Sequence, residues 1–324
     1  MREPVVYDVA MRTRFRGITR RQGLLVQGPA GWAEWSPFLD YAGAELVPWQ
    51  RACQEAAELL PPPPVRTSVP VNCTVPALDP ERAHALVAAS GCTTAKVKVA
   101  ERGQTLADDL ARVEAVRDAL GRRGAVRVDA NGGWDLDAAE QAVGALRSLD
   151  LEYVEQPCAS VEELAALRRR LARRGWDVRV AADESIRRSG DPERVVALEA
   201  ADVAVLKVQP LGGVRRCLEL ADRLGLPVVV SSALETSVGL AAGLALAAAL
   251  PELPFACGLD TVALLDEDVC SRPLRSVDGA IAVPAAPPVP DRLEAVRADP
   301  ATTAAWLQRW AGTRAAAEEE DRDG

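Results

Sequence analysis

Six charged residues stand at or beside the ends of short β-rich runs in this 324-residue chain. Lys96 and Lys98 sit in TTAKVKVA, Asp129 in RVDANGGW, Glu155 in EYVEQP, Asp183 in AADES and Lys207 in VLKVQP. Three carboxylates brought into one low-dielectric mouth repel one another and take up protons unless a cation holds them. An all-oxygen donor set of that kind suits Mg2+, with Mn2+ as a substitute, better than zinc. The lysines add proton donors and acceptors. A proton next to a carboxylate is hard to remove, because negative charge builds on both oxygens of the resulting enediolate; a lysine base beside a divalent cation answers that need. Each signal also has a plain structural reading. A lysine pair is ordinary on a wet strand face, DANGG makes a turn, EQP stops a helix and ADES offers an N-cap at Ser185. Recurrence at successive strand ends favours the chemical reading.

Side-chain parity indicates how such residues meet. In AVRVDAN, Arg127, Asp129 and Asn131 share one face of a strand, leaving Val126 and Val128 to pack on helices. In VAVLKVQP, Val203, Val205 and Lys207 align, and Leu206 faces the other way. From about residue 67, β-rich runs alternate with helical stretches at intervals of roughly 25–30 residues, as successive βα units do. The runs are TSVPVNCTV, TTAKVKVA, AVRVDAN, EYVEQP, VRVAADES, VAVLKVQP, PVVVSSAL and FACGLDT. Their number and near-continuous apolar character predict an α/β fold, a (β/α)7β TIM-like barrel with chemistry at the strand ends. Residues 1–64 read as a small α+β capping domain, ending in the stiff PPPP of 61–64. Residues 65–280 read as the barrel and 281–324 as a C-terminal segment contributing to the cap, with the acidic end AAAEEEDRDG expected to be disordered.

Composition narrows the function classes. A net charge of −9 and a pI near 5.0 argue against a nucleic-acid surface. The five arginines of LRRRLARRGW accompany a Leu164, Leu167, Leu171 stripe, so they form the wet face of an amphipathic helix. No apolar run is long enough for a membrane span, and the N-terminus has no secretory pattern, so the expected location is cytoplasmic. Seven cysteines without C-x-x-C spacing indicate buried thiols rather than disulfides or zinc. The single histidine, His84, cannot build a triad, so acid–base work falls to lysines and carboxylates. A small-molecule carboxylate is the expected partner, and no obligatory protein partner is inferred.

In their order along the chain, the K-x-K of AKVKV, the Asp of RVDANGGW, the Glu of EQP, the Asp of ADES and the Lys of LKVQ resemble the muconate-lactonizing branch of the enolase superfamily. Within that branch the chain is similar to the short actinobacterial o-succinylbenzoate synthase family, from FRGITRRQGLLVQGPAGWAEWSPF through VPVNCTVPA to CGLDTVALL. The resemblance implies a magnesium-dependent dehydration of 2-succinyl-6-hydroxy-2,4-cyclohexadiene-1-carboxylate in menaquinone biosynthesis. It implies Asp129, Glu155 and Asp183 as metal ligands, Lys98 as base and then acid, and Lys207 on the opposite side of the ring. Lys96 would support Lys98, and Arg127 would help position the network.

Substrate groups are read from chain position. Gly212 and Gly213 open a helix after the sixth strand, where free N–H groups could hold a carboxylate. Ser231 and Ser232 end the seventh strand, and the arginine-rich RTRFRGITRR at 12–21 is a candidate cover for the mouth. Alternatives are N-succinylamino acid racemisation or dipeptide epimerisation on the same lysines, though epimerases show Asp-x-Asp where CGLDT has Asp260 alone. A class I aldolase using Lys207 as Schiff base is a chemically different option, and a non-catalytic scaffold another.

Overall fold

The computed structural model of the chain describes residues 3–188 and 192–323. An antiparallel meander opens the chain: β1 (Val5–Phe15), β2 (Ile18–Gly28) and β3 (Gly31–Trp35). Phe15 faces Ile18 across a two-residue turn, Arg16–Gly17, whose φ values are 49° and 79°. Such a turn matches the right-handed twist of its flanking strands. The segment 12–21, the candidate cover for the mouth, is therefore the end of one strand, a tight turn and the start of the next. Its alternation accounts for this, with Met11 and Phe15 buried and Arg12 and Arg14 exposed.

Helix α1 (Val47–Glu58) packs Trp49, Cys53 and Ala57 into the core behind this sheet. A helix from the far end of the chain, α11 (Pro300–Asp323), lays Trp306 and Trp310 edge-on to Trp35, with ring centroids 5.6 and 5.2 Å away. The backbone of the acidic end continues this helix to Asp323, as its run of Ala, Glu and Arg favours, and Gly324 lies outside the described residues.

Seven parallel strands follow in sequence order: β5 (Cys73–Val75), β6 (Thr94–Lys98), β7 (Ala125–Asp129), β8 (Leu151–Glu155), β9 (Val180–Ala182), β10 (Val203–Leu206) and β11 (Val228–Val230). The run FACGLDT contributes only Cys257 and Gly258 to pairing, yet these close the ring. Cys257 bridges to Val71 beside the first strand, and Gly258 bridges to Ser231 beyond the seventh. A short antiparallel pair, β4 (Ser68–Pro70) with β12 (Ala280–Ala282), lies outside this ring. Val203, Val205, Val229, Ala181 and Tyr153 form the inner core, while Val126, Val128, Ala204 and Leu206 pack with the helices. Parity is therefore as the sequence predicts. All seven cysteines are buried free thiols, and His84 is a half-exposed partner of Asp118 at 3.3 Å.

The outer helices are α2 (Pro80–Ser90), α3 (Leu106–Leu120), α4 (Leu136–Leu146), α5 (Val161–Arg173), the short α6 (Glu184–Arg187), α7 (Arg194–Ala197) and α8 (Val208–Leu211), then α9 (Val214–Leu224) and α10 (Ser237–Ala249). The arginines of α5 and the turn after it pair with Asp137, Glu140 and Asp202, while Leu164, Leu167 and Leu171 are buried. Helices α2 to α5 are capped by their own Asp79, Thr105, Asp135 and Ser160. Helices α9 and α10 have no such cap, and the N-terminal unit supplies it. Glu55 of α1 accepts from the Val214 and Arg215 amides at 3.0 and 3.4 Å. Glu34 of β3 accepts from the Thr236 and Gly239 amides, both at 3.1 Å.

Burial pushes the Glu34 carboxyl up to about 7, against the Thr236 hydrogen bond and the Arg21 charge. Between the ordinary glutamate value of 4.5 and about 7, the folded protein therefore holds a proton that the unfolded chain releases. Folding stability falls as pH rises through that window, by an amount on the order of 3 kcal/mol from this group. Glu34→Gln removes the effect. Urea unfolding of the two proteins at pH 4.5 and 7.5 is expected to show the variant gaining on the wild type as pH rises; a constant gap contradicts the assignment.

Candidate active site

The charged residues meet because the strands are in register. Lys98 pairs with Asp129, Asp129 with Glu155, and Glu155 with Ala181, which lies two residues before Asp183. Side chains at such matched positions emerge from the same end of the sheet. The ammonium of Lys98 donates to Asp129 Oδ2 at 2.5 Å and Asn131 Oδ1 at 2.6 Å. Lys96 donates to both Glu155 oxygens at 2.9 Å, with Asp129 Oδ2 3.5 Å away. Lys207 donates to Asp183 Oδ2 at 2.6 Å. All six residues are buried.

Burial works against the charge of Lys96, but Glu155 and then Asp129 outweigh it and leave this lysine above its ordinary range. Burial likewise opposes the Asp129 anion, and Lys98 and Lys96 overcome it, so Asp129 lies below the usual carboxylate range. Glu155 goes the other way: burial and then the Asp129 charge raise it to about 7 in spite of Lys96. Lys207 is lowered, first by burial, with Arg187 adding to the effect and Asp183 opposing it.

A divalent cation fits this site by donor chemistry and by backbone position. Asp129, Glu155 and Asp183 supply only oxygen from consecutive strand ends, and Glu155 responds to the charges of the other two. Their side chains are not arranged as a ready cage: among the described residues no three acidic, thiol or imidazole groups are so placed. Each carboxylate is instead turned to a lysine, whose ammonium supplies the compensating charge.

The three lysines and Asp129 border a small cavity. Lys96, Lys98, Asp129 and Lys207 line it together with Ser231 and Ser232, and the N-terminal unit adds Phe15, Arg16 and Phe38. Arg127 is not brought to it. Parity points Arg127 inward as expected, but two positions below Asp129, and its long side chain runs away from the mouth. It donates to Glu152 at 2.5 Å, the Ala256 carbonyl at 2.7 Å and Asn72 at 3.1 Å, and lies over the Tyr153 ring.

Gly212 and Gly213 are a second correction. Their amides donate to the Gln209 and Val208 carbonyls, and the helix start beyond them belongs to Glu55, whose Oε2 lies 2.5 Å from where a Gly213 Cβ would be. The amides of Gly212, Gly213, Val214 and Arg215 are thus all taken within the protein. Ser231 and Ser232 do reach the cavity wall, where Ser232 donates to Glu235 at 2.6 Å and accepts from Thr261 at 2.6 Å.

Three residues of the network were not singled out from the sequence. Asn131 accepts from Lys98 and donates to Glu184 at 3.2 Å. Arg187 donates to Asp183 at 2.8 Å and to Glu184 at 2.5 Å. A continuous chain of polar contacts thus runs from Lys98 through Asn131, Glu184, Arg187 and Asp183 to Lys207. The signal for Asn131 was its shared face with Asp129; a turn-forming Asn-Gly masked it.

The family model described as Enolase C-terminal domain-like matches residues 79–287, and that described as Enolase N-terminal domain-like matches residues 6–57. The muconate lactonizing enzyme of Pseudomonas putida superposes with a TM-score of 0.76 at 21% identity, over 91% of this chain and 98% of that one. The L-Ala-D/L-Glu epimerase of Bacillus subtilis gives 0.74 at 22% identity, over 88% and 96%. Fold and site together define the class as the enolase superfamily. An o-succinylbenzoate synthase of Thermobifida fusca (strain YX) is 61% identical over 317 residues, 98% of each chain. One from Mycolicibacterium smegmatis is 52% identical over 306 residues, 94% of this chain and 92% of that one. The chain belongs to the o-succinylbenzoate synthase family.

Proposed function

We propose that this chain removes water from 2-succinyl-6-hydroxy-2,4-cyclohexadiene-1-carboxylate to give o-succinylbenzoate, as a lyase of menaquinone biosynthesis. The observation that carries the reading is the set of three buried lysine–carboxylate contacts around one mouth. Burying six charges is costly and gains little for stability over a packed apolar core, so the arrangement makes sense where charge must move.

Lys98 takes the proton α to the ring carboxylate. The C–H electron pair moves into the carboxylate as an enediolate, and its return expels the 6-hydroxyl. The proton on Lys98 goes to that leaving group, which departs as water while the ring becomes aromatic. Lys207, from the other side, offers an ammonium held by Asp183, and Lys96 meets the carboxylate. Asp129, Glu155 and Asp183 would hold Mg2+, which supplies positive charge beside the enediolate oxygens. Arg16 brings a cation from the cap, in keeping with a substrate that carries a second carboxylate. Residues 1–64 with the C-terminal segment are taken as the cap and 65–280 as the barrel. The free buried thiols suit a reducing compartment, hence a cytoplasmic assignment.

The test is direct. Purified protein with Mg2+ and the cyclohexadiene acid is expected to produce the aromatic product, followed by its absorbance; no aromatic product means the reading is wrong. The same protein offered an N-succinylamino acid, followed by polarimetry, measures the racemase activity that opposed lysines would also serve.

A further inference from the structure

Arg21 is a buried arginine that touches none of the lysine–carboxylate pairs. It lies in β2, 2% exposed, and its guanidinium crosses from the cap to the barrel. There Nε donates to the Leu234 carbonyl at 2.8 Å and Nη2 to the Ala233 carbonyl at 3.2 Å. On the cap side Nη2 also reaches the Ser36 carbonyl and Nη1 the Gln22 carbonyl at 3.1 Å. The Arg21 Cζ sits 4.6 Å from the centre of the Phe38 ring. Ala233, Leu234 and Phe38 all line the cavity. One side chain thus holds three pieces of wall, drawn from two parts of the molecule.

The held segment needs holding. Leu234 has φ of 66°, and among the described non-glycine residues with positive φ it is the one with a branched aliphatic side chain. That conformation is disfavoured for such a residue and persists only when its surroundings fix it. The amides of this turn are fixed from within, Ala233 by Glu235 at 2.7 Å and Leu234 by Ser232 at 2.7 Å. The carbonyls are fixed by Arg21. Its rigid fork suits several acceptors at once, which a lysine cannot match.

We propose that Arg21 is a positioning residue for substrate affinity: by fixing the Ala233–Leu234 turn and the Phe38 ring it sets the shape of part of the wall of the cavity that the lysines also line. The inference rests on the reading of this cavity as the substrate site. It assigns Arg21 no part in proton transfer. Wall displacement therefore weakens substrate binding while leaving the chemistry of bound substrate nearly intact, so the effect falls on KM more than on kcat.

The test compares wild type, Arg21→Lys and Arg21→Met as full chains with Mg2+ and the cyclohexadiene acid. Both variants are expected to raise KM by about ten- to a hundredfold, a loss of about 1.4 to 2.8 kcal/mol of uniform binding, with kcat changed far less. Partial unfolding cannot imitate this, because a smaller active fraction lowers apparent kcat and leaves KM where it was. Hydrogen exchange supplies a second measurement: amides of 231–239 are expected to exchange faster in Arg21→Lys, with those around Lys98 unchanged. If Arg21→Met does not fold, the lysine variant carries both measurements. An unchanged KM in a folded variant, or a fall in kcat alone, overturns the proposal. If wild type itself makes no product, the reading of the site has failed instead.

Discussion

Lys98→Ala protein is expected to fold and to lose turnover by at least the 10²- to 10⁴-fold that a positioned general base typically contributes, about 10³ as a working figure. Two observations set this expectation. Lys98 is the lysine whose ammonium reaches both Asp129 and Asn131, and it faces the cavity from the strand whose register leads directly to the acidic residues. In the proposed sequence it acts twice, first on the α-proton and then on the departing hydroxyl, so no step of the dehydration escapes its removal. Stopped assays of aromatic product measure the loss. Exchange of the α-proton with D2O separates the two acts: wild type incorporates deuterium into recovered substrate if proton removal is reversible, and the variant does not. A Lys98→Ala protein with near-normal turnover would require another base and would reject the role. The variant also strands Asp129 without its nearest cation, so its thermal midpoint is measured alongside, to keep a stability loss distinct from a catalytic one.

The second large effect is metal dependence. Treatment with a chelator is expected to abolish dehydration, and added Mg2+ or Mn2+ to restore it. Asp129→Asn is expected to lower activity at fixed Mg2+ by several kcal/mol of transition-state stabilisation, roughly a thousandfold, with partial recovery at high Mg2+. Asp129 is the informative position because it sits between Lys98 and Lys96 and in register with Glu155. The asparagine keeps shape and one oxygen while removing the charge. Calorimetric titration of Mg2+ into wild type and variant gives the affinity change without reference to turnover. Full activity in chelated protein would remove the metal from the scheme, and borohydride trapping of substrate on Lys207 would point to Schiff-base chemistry instead.

The sequence carried the strand-end chemistry well, because period-2 alternation is a local property. Val126, Val128 and Asp129 are sorted to opposite faces by position alone, and the structure sorts them so. The same rule gave Arg127 the right face and the wrong level: parity says inward or outward but not how far a long side chain travels along the barrel axis. Gly212 and Gly213 failed for a different reason. Free amides at a helix start are a fair expectation until some other group takes them, and Glu55 comes from more than 150 residues away. Phe15 and Arg16 lie within the 12–21 segment singled out as a candidate cover and line the cavity, whereas Phe38 was beyond reach, since docking of cap on barrel brings it there. Arg187 and Glu184 lay next to a recognised residue, but ADES also reads as an ordinary helix start.

The tryptophan stack has a consequence for how the molecule is made. Trp35 precedes Trp306 and Trp310 by about 270 residues, so it leaves the ribosome long before them. Until α11 has been made, that aromatic face lacks its lid and stays open to unwanted partners. A product terminated before that helix, even one containing every acid and lysine of the proposed catalytic centre, would carry this sticky surface permanently, which makes the helix a checkpoint for solubility.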